Sequence, residues 1–271
     1  MKIPVTSSRI LMIIAGLLLA SQALRAEGED ETAWNTTLKQ QFFPNRAIEE
    51  DQQTLEITAP YRAEDPALVP LQITSKFPQT KEHFIKNITV IIDNNPVPFS
   101  ASFDFTPESG KADIATRMRF NAYTHVRAIA ETNDGKLHMA KAFVKASGGC
   151  SAPIGTDLEA AKARMGKMKF RFDGDKATLG QPNPVQLLIS HPNITGMQMD
   201  QISRMVQPAH YVTEVKVSFG GKAVMTAKSD IAISADPNLR FYFTPDKAGV
   251  LKAEVKDNLG NTYSASQAVT P

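Results

Sequence analysis

The stretch Lys145-Ala-Ser-Gly-Gly-Cys-Ser-Ala-Pro153 holds Cys150, the only cysteine among 271 residues, directly behind Gly148 and Gly149. A thiolate attacks electrophilic sulfur or couples oxidatively to a second thiol, so a lone cysteine on a loop is an attachment point for a small sulfur-containing group. Two glycines offer no side chain to pack around the sulfur and adopt backbone angles that other residues avoid. The sequence therefore predicts that Gly148 and Gly149 confer flexibility on an exposed arm. The bland alternative is an inert small hydrophobe, the usual state of a free cysteine. With an ordinary pKa of about 8.5, only a few per cent of the thiol is ionised at neutral pH, and a partner would supply most of the activation.

Other side chains capable of chemistry are scattered. Histidines stand at positions 83, 125, 138, 191 and 210. A Cys-His nucleophile pair needs a rigidly held cysteine, which a Gly-Gly arm does not offer. Met197, Met199 and Met205 with His191 and His210 resemble a thioether and imidazole set suited to Cu(I). Methionine as a gap-filler is the simpler reading, and no metal is assigned. Around the cysteine, Lys141, Lys145, Lys162, Arg164, Lys167, Lys169 and Arg171 outnumber Asp157 and Glu159. Such a run is either a solvated face or an attraction for an anionic adduct or acidic partner. The sequence has no Cys-x-x-Cys-His, no Gly-x-x-x-x-Gly-Lys-Ser/Thr, no His-Glu-x-x-His and no Gly-x-Ser-x-Gly. It reads as a non-enzymatic chain without a cofactor.

The amino terminus bears on what that cysteine means. Lys2 and Arg9 precede an apolar run from Ile10 to Ala20, and Ser21-Gln22-Ala23 supplies a small-x-small cleavage site, so residues 1–23 read as a signal peptide. Eleven apolar residues fall short of the roughly 20 that span a bilayer, and no later stretch approaches that length. The expected product is exported and not membrane-embedded. In an oxidising compartment a single cysteine has no partner within its chain, so it is free, adducted or bridged to another molecule. Removing the leader takes away two basic residues and no acid, leaving 28 basic against 28 acidic. Zero net charge argues against nucleic acid as a partner.

The elements that must position Cys150 read as all-β. Trp34, Leu38 and Phe42 share one face of a short helix expected to lie as a lid on the strands that follow. Strands are predicted at Leu55–Thr58, Leu68–Thr74 with Pro70 suggesting an edge, Ile85–Ile92, Val97–Phe103, Asp113–Phe120, Tyr123–Thr132 and Lys136–Lys145. Asn133-Asp-Gly135 turns the last hairpin. Seven short strands over about a hundred residues point to an immunoglobulin-like sandwich. Thr156-x-x-Glu159 then forms a capping box ahead of an alanine-rich helix stopped by Gly166. A second series follows at Met168–Phe172, Val185–Ser190, Val212–Phe219, Lys222–Lys228, Leu239–Thr244, Val250–Asp257 and Thr262–Ala268. The predicted organisation is a sandwich over 31–146, a cysteine arm and linker helix over 147–167, and a second immunoglobulin-like sandwich over 168–271.

Particular residues carry a family resemblance. Ala63-Glu-Asp-Pro-Ala-Leu-Val-Pro70, followed by Gly-Gly-Cys150, resembles SoxY, the thiol carrier of periplasmic sulfur oxidation. His191-Pro-Asn-Ile-Thr-Gly196, Ile233-Ser-Ala-Asp-Pro237 and the Asp257-Asn-x-Gly260 hairpin resemble its partner SoxZ. The whole resembles a fused SoxYZ-like carrier of the type associated with quinoprotein (PQQ-dependent) dehydrogenases. That resemblance implies two sandwiches packed on each other, a periplasmic location, and Cys150 as the covalent attachment point. It also implies partner oxidoreductases such as c-type cytochromes or a PQQ-dependent dehydrogenase. SoxY ends in Gly-Gly-Cys-Gly-Gly, whereas Cys150 is followed by Ser151-Ala-Pro153 and another domain, so the arm is tethered at both ends. The competing expectation is a structural adaptor in which Cys150 is incidental.

Overall fold

Short β-rich segments alternate apolar and polar residues and are punctuated by turns, and such segments bury their apolar face only by pairing and stacking as sheets. The computed structural model describes residues 30–153, 158–174, 176–200 and 203–271; the leader and Thr156 of the capping box lie outside them. The first half carries β1 (Glu49–Glu50), β2 (Leu55–Thr58), β3 (Val69–Ser75), β4 (Ile85–Ile92), β5 (Phe99–Phe105), β6 (Ile114–Met118), β7 (Thr124–Thr132) and β8 (Leu137–Val144). The second carries β9 (Met168–Phe172), β10 (Asn183–Ile189), β11 (Val212–Phe219), β12 (Lys222–Ser229), β13 (Asn238–Phe243), β14 (Gly249–Asp257) and β15 (Thr262–Val269). A short helix at Leu158–Ala163 lies between them. The protein is all-β, with two immunoglobulin-like sandwich domains joined by the cysteine-bearing loop and that helix.

The halves do not merely touch: their sheets are continuous. One sheet runs β1-β8-β7-β4-β5-β12-β11-β14-β15 and the other β2-β3-β6-β13-β10-β9. The seam in the larger sheet is the antiparallel pair β5–β12, from Phe105 opposite Met225 to Ala101 opposite Ser229. In the smaller sheet it is β6–β13, where Ala115 faces Arg240, extended by a bridge between Met118 and Ile233. Residues of both halves, among them Phe103, Phe120, Val215, Met225, Phe241 and Phe243, form one buried cluster between the sheets.

Two local expectations need correction. Pro70 was expected to mark an edge strand, but β3 pairs on both sides. β2 reaches only from Leu55 to Thr58, the latter opposite Gln72, so the flank beside Pro70 is open on that side and needs no amide donor there. The predicted helix over Trp34–Phe43 is a π-helical turn at Trp34–Leu38 running into an α-helix at Lys39–Phe42. It does cover the outer face of the larger sheet, with Trp34, Leu38 and Phe43 packed on Ile91, Ile129, Leu137 and Met139.

Candidate functional site

Cys150 sits at the seam, and it is fully buried. Before it, the Gly148 N–H donates to the Asn121 carbonyl at 3.0 Å and the Gly149 N–H to that of Phe120 at 2.9 Å. After it, the Cys150 carbonyl accepts from Thr195 Oγ1 at 2.6 Å and that of Ala152 from Gln198 Nε2 at 2.9 Å. The segment is thus strapped to the first half on one side of the thiol and to the second on the other. The exposure expected of the arm behind Gly148 and Gly149 is corrected: the loop is docked and its thiol buried. A Cβ on Gly149 would lie 2.1 Å from the Pro66 carbonyl oxygen and 2.7 Å from that of Phe120, so glycine serves here as close approach of backbone to backbone. Gly148 holds a left-handed φ of +81°.

Burial pushes the Cys150 thiol up to about 11, and the nearby Arg119 guanidinium pulls only partly against it. At neutral pH roughly one thiol in ten thousand is then ionised. The docked conformation holds an unreactive thiol. Arg119 is only 3% exposed. It donates from Nη1 to the Gly149 carbonyl at 3.1 Å and from Nη2 to that of Asn193 at 3.4 Å, while its Nε has no partner. Burial lowers its pKa, opposed by the charges of Cys150 and Asp65.

The segments singled out in the sequence converge on this loop. Pro66 accepts from the Phe120 N–H at 2.9 Å, and Ala67 accepts from Ser234 Oγ at 2.7 Å. Asn193 Nδ2 donates to the Ile233 carbonyl at 3.1 Å, and the Arg119 N–H to that of Ala232 at 2.7 Å. Residues 63–70, 191–196 and 233–237 therefore lock together around the cysteine. Sequence reasoning missed Arg117, Arg119, Thr195, Gln198 and Ser234 as parts of this site. A signal existed for the arginines: with Met118 and Phe120 turned to one face, period-two alternation places Arg117 and Arg119 together on the other.

The other candidate clusters resolve differently. His191 and His210 do meet, with ring centroids 4.7 Å apart, beside Asp257. His191 Nδ1 accepts the Asn193 N–H at 3.1 Å, which leaves the ring proton on Nε2, 3.7 Å from Asp257 Oδ2. A metal-ligating histidine needs the opposite arrangement, with its second nitrogen donating outward. Asp257 instead receives His210 Nε2 at 2.8 Å and caps the turn through the amides of Leu259 and Asn261. Burial pushes its carboxyl up, but hydrogen bonds from Asn261 and His210 outweigh it and hold it down at about 2. Met197, Met199 and Met205 are exposed. Met199 bridges Val206, further along the hairpin than the Ile194–His210 bridge beside which the two imidazoles meet Asp257.

The basic run is mostly paired off. Lys141 binds Glu31 and Glu50, Lys162 binds Glu159, and Arg164 makes a bidentate pair with Asp236. Lys145 lies over the Tyr61 ring. Lys167, Lys169 and Arg171 are exposed on and beside β9, an outer strand of the smaller sheet, and Asp157 lies outside the described residues. No helix among the described residues is long and apolar enough to cross a membrane.

Comparison with known proteins gives two adjacent matches. Residues 39–150 match the family model of the sulfur oxidation protein SoxY, and residues 170–268 that of the sulphur oxidation protein SoxZ. The first match ends on Cys150. Similar solved structures include the sulfur carrier protein SoxY from Chlorobium limicola f thiosulfatophilum, 28% identical over 40% of this chain and 87% of that one, with a TM-score of 0.34. A superoxide reductase (neelaredoxin) from Ignicoccus hospitalis is 18% identical over 34% of this chain and 79% of its own, with a TM-score of 0.31. The fibronectin(III)-like modules of Clostridium thermocellum CbhA are 11% identical over 80% and 93%, with a TM-score of 0.24. No curated protein matches the chain.

Proposed function

The chain is a SoxYZ-like fusion, a SoxY domain followed by a SoxZ domain in one polypeptide, and we propose that it is a periplasmic, non-enzymatic carrier holding a sulfur-containing group covalently on Cys150. The observation that carries this reading is the position of the cysteine: it ends the SoxY match and lies where segments of both domains converge. Two routes load it. In exchange, the Cys150 thiolate attacks a sulfur of a disulfide-linked donor, one S–S bond forms as another breaks, and the departing thiolate takes the electron pair. In oxidative coupling, two thiols join with loss of two protons and two electrons, and a partner such as a c-type cytochrome accepts the electrons one at a time. Neither route operates on a protonated, fully buried sulfur. Loading therefore requires the loop to lift off Thr195, Gln198 and Arg119, and a docking partner supplies the driving contacts.

Intact mass of the protein purified from its native periplasm tests the reading. A carrier shows an added mass on Cys150 that a reductant removes and that Cys150→Ser lacks. A bare mature chain under every growth condition overturns it. The burial of the thiol favours a second reading, an adaptor that docks a PQQ-dependent dehydrogenase or cytochrome while Cys150 is merely part of the seam. An adaptor keeps partner-dependent electron transfer after Cys150→Ser, whereas a carrier loses it with its fold unchanged.

A further inference from the structure

The cradle that receives the cysteine loop is built where the strands run out. Between the end of β6 at Met118 and the start of β7 at Thr124 the chain has no regular strand pairing to fix its peptide groups. Two of those groups nevertheless carry the loop: the Phe120 carbonyl accepts the Gly149 N–H at 2.9 Å and the Asn121 carbonyl the Gly148 N–H at 3.0 Å. One side chain holds the segment in place. Asn95, in the turn between β4 and β5, is only 5% exposed. It donates from Nδ2 to the Arg119 carbonyl at 2.8 Å and accepts the Asn121 N–H on Oδ1 at 2.9 Å. A carbonyl on one side and an N–H on the other settle which end of the carboxamide is which. A peptide unit is planar, with its N–H and C=O pointing opposite ways. The Asn121 N–H shares one such plane with the Phe120 carbonyl, so holding the first aims the second at Gly149. The Arg119 carbonyl belongs to the preceding plane, whose N–H, that of Phe120, donates to the Pro66 carbonyl at 2.9 Å. Asn95 thus fixes the planes on both sides of Phe120.

We propose that Asn95 is the positioning residue of the cysteine loop: it orients the Phe120 carbonyl that holds Gly149, and thereby sets how often the thiol is uncovered. The turn it stands in is itself anchored, the Asp93 N–H donating to the His125 carbonyl at 3.1 Å and the Asn94 N–H to Thr124 Oγ1 at 3.0 Å. The carboxamide is therefore presented from a fixed base. Without it the Phe120–Asn121 plane is free to turn, and the Arg119 carbonyl and the Asn121 N–H both lose a partner. The strap on the first half weakens, while Thr195 and Gln198 on the other side of the thiol are untouched. The inference concerns the docked loop and holds whatever Cys150 carries, so it stands apart from the carrier reading.

The test is the rate at which a neutral thiol reagent modifies Cys150 in the mature chain at one fixed pH, measured beside urea unfolding. The chains compared are the parent, Asn95→Ala, Gly149→Ala and the double variant. Asn95→Ala alone should label about tenfold faster, the loss of roughly one buried hydrogen bond. Where Gly149→Ala has already lifted the loop there is no strap left to aim, so adding Asn95→Ala should change the rate less than about twofold. A residue that merely stabilises the fold gives another pattern: its factor is the same in both backgrounds and no larger than the loss of global stability allows. Asn94→Ala is the control within the same turn. It removes a bond from Nδ2 to the Tyr123 carbonyl at 3.1 Å and should leave labelling at the parent rate. Asn95→Ala labelling at the parent rate, equal acceleration with and without Gly149→Ala, or Asn94→Ala as fast as Asn95→Ala overturns the proposal. So does a Gly149→Ala chain that labels no faster than the parent, because the strap would then hold nothing. Should Asn95→Ala not fold, Asn95→Ser runs through the same cycle with the same expected outcomes, since its hydroxyl is too short to join both partners. Intact mass of the native protein decides the carrier reading by itself, so the two failures are separable.

Discussion

Gly149 decides whether the thiol can be docked at all. Its missing side chain faces two backbone carbonyls that cannot yield as a flexible side chain would. Gly149→Ala should therefore lift the loop, lowering stability by about 1–3 kcal/mol and speeding modification of Cys150 by a thiol reagent at least tenfold. Gly148→Ala meets open space but must hold a φ of +81°, and it should cost about 1–2 kcal/mol with a smaller effect on labelling. In the unaltered chain, labelling at neutral pH should be slow and limited by opening of the loop, since the docked sulfur is inaccessible. Fast, pH-independent labelling would contradict the docked site. The raised thiol pKa has its own signature. Between pH of about 9 and about 11 the unfolded chain loses the thiol proton while the folded chain keeps it. The folded state then binds more protons, so stability falls as pH rises, by up to about 2–3 kcal/mol across the window. Cys150→Ser should lack this component, and urea titrations of both chains at pH 8 and 11 measure it.

At the scale of elements, the helical lid over Trp34–Phe42 and the strands beneath it are joined through a buried charge. Arg127 is inaccessible, bonded to Asp93 through Nε at 3.0 Å and Nη2 at 2.8 Å and to Glu31 at 3.3 Å, with the Trp34 ring 4.6 Å away. Removing one partner of such a pair strands the other in a medium that solvates it poorly. Asp93→Asn should cost about 3–5 kcal/mol, read by the fluorescence of Trp34, the only tryptophan. An unchanged denaturation midpoint would show that Glu31 and Trp34 suffice. The hairpin carrying His191 and His210 supplies an acid response. Burial, helped by His210, lowers His191 to about 4. Between about pH 6.5 and 4 the unfolded imidazole takes a proton that the folded one refuses, so stability falls as pH falls through that window. His191→Gln should flatten that slope.

For the whole molecule, continuity of both sheets across β5–β12 and β6–β13 makes each half incomplete alone. Separating them bares the paired edges of β5 and β12 and the apolar residues packed between the sheets, the combination that drives association of unpaired strands. Fragments 31–153 and 158–271 expressed singly should be oligomeric or poorly soluble. Expressed together, they should form a one-to-one complex close in melting temperature to the intact chain, checked by size-exclusion chromatography and calorimetry. Monomeric halves as stable as the whole would mean that the seam contributes nothing.

What the sequence determined by itself was the local grammar. Period-two alternation and the turn residues placed Met168–Phe172 and Val212–Phe219 to the residue, and shifted β5 and β6 by only one or two positions, because strand patterning is a property of neighbours along the chain. The sequence also marked Cys150 and the segments around Pro66, His191 and Ile233, which the fold brings together. It could not tell an exposed arm from a docked one. Gly-Gly permits both, and the choice lies with the Pro66, Phe120 and Asn121 backbone on one side and Thr195 and Gln198 on the other. The same holds for Arg119: alternation placed it opposite Phe120, but its burial, with only backbone carbonyls as hydrogen-bond acceptors among the described residues, arises because the second sheet half closes over a face that one sandwich alone would leave to water. Solvation is set by what covers a group, and here the cover comes from residues up to about eighty positions away in the chain, which no local pattern encodes.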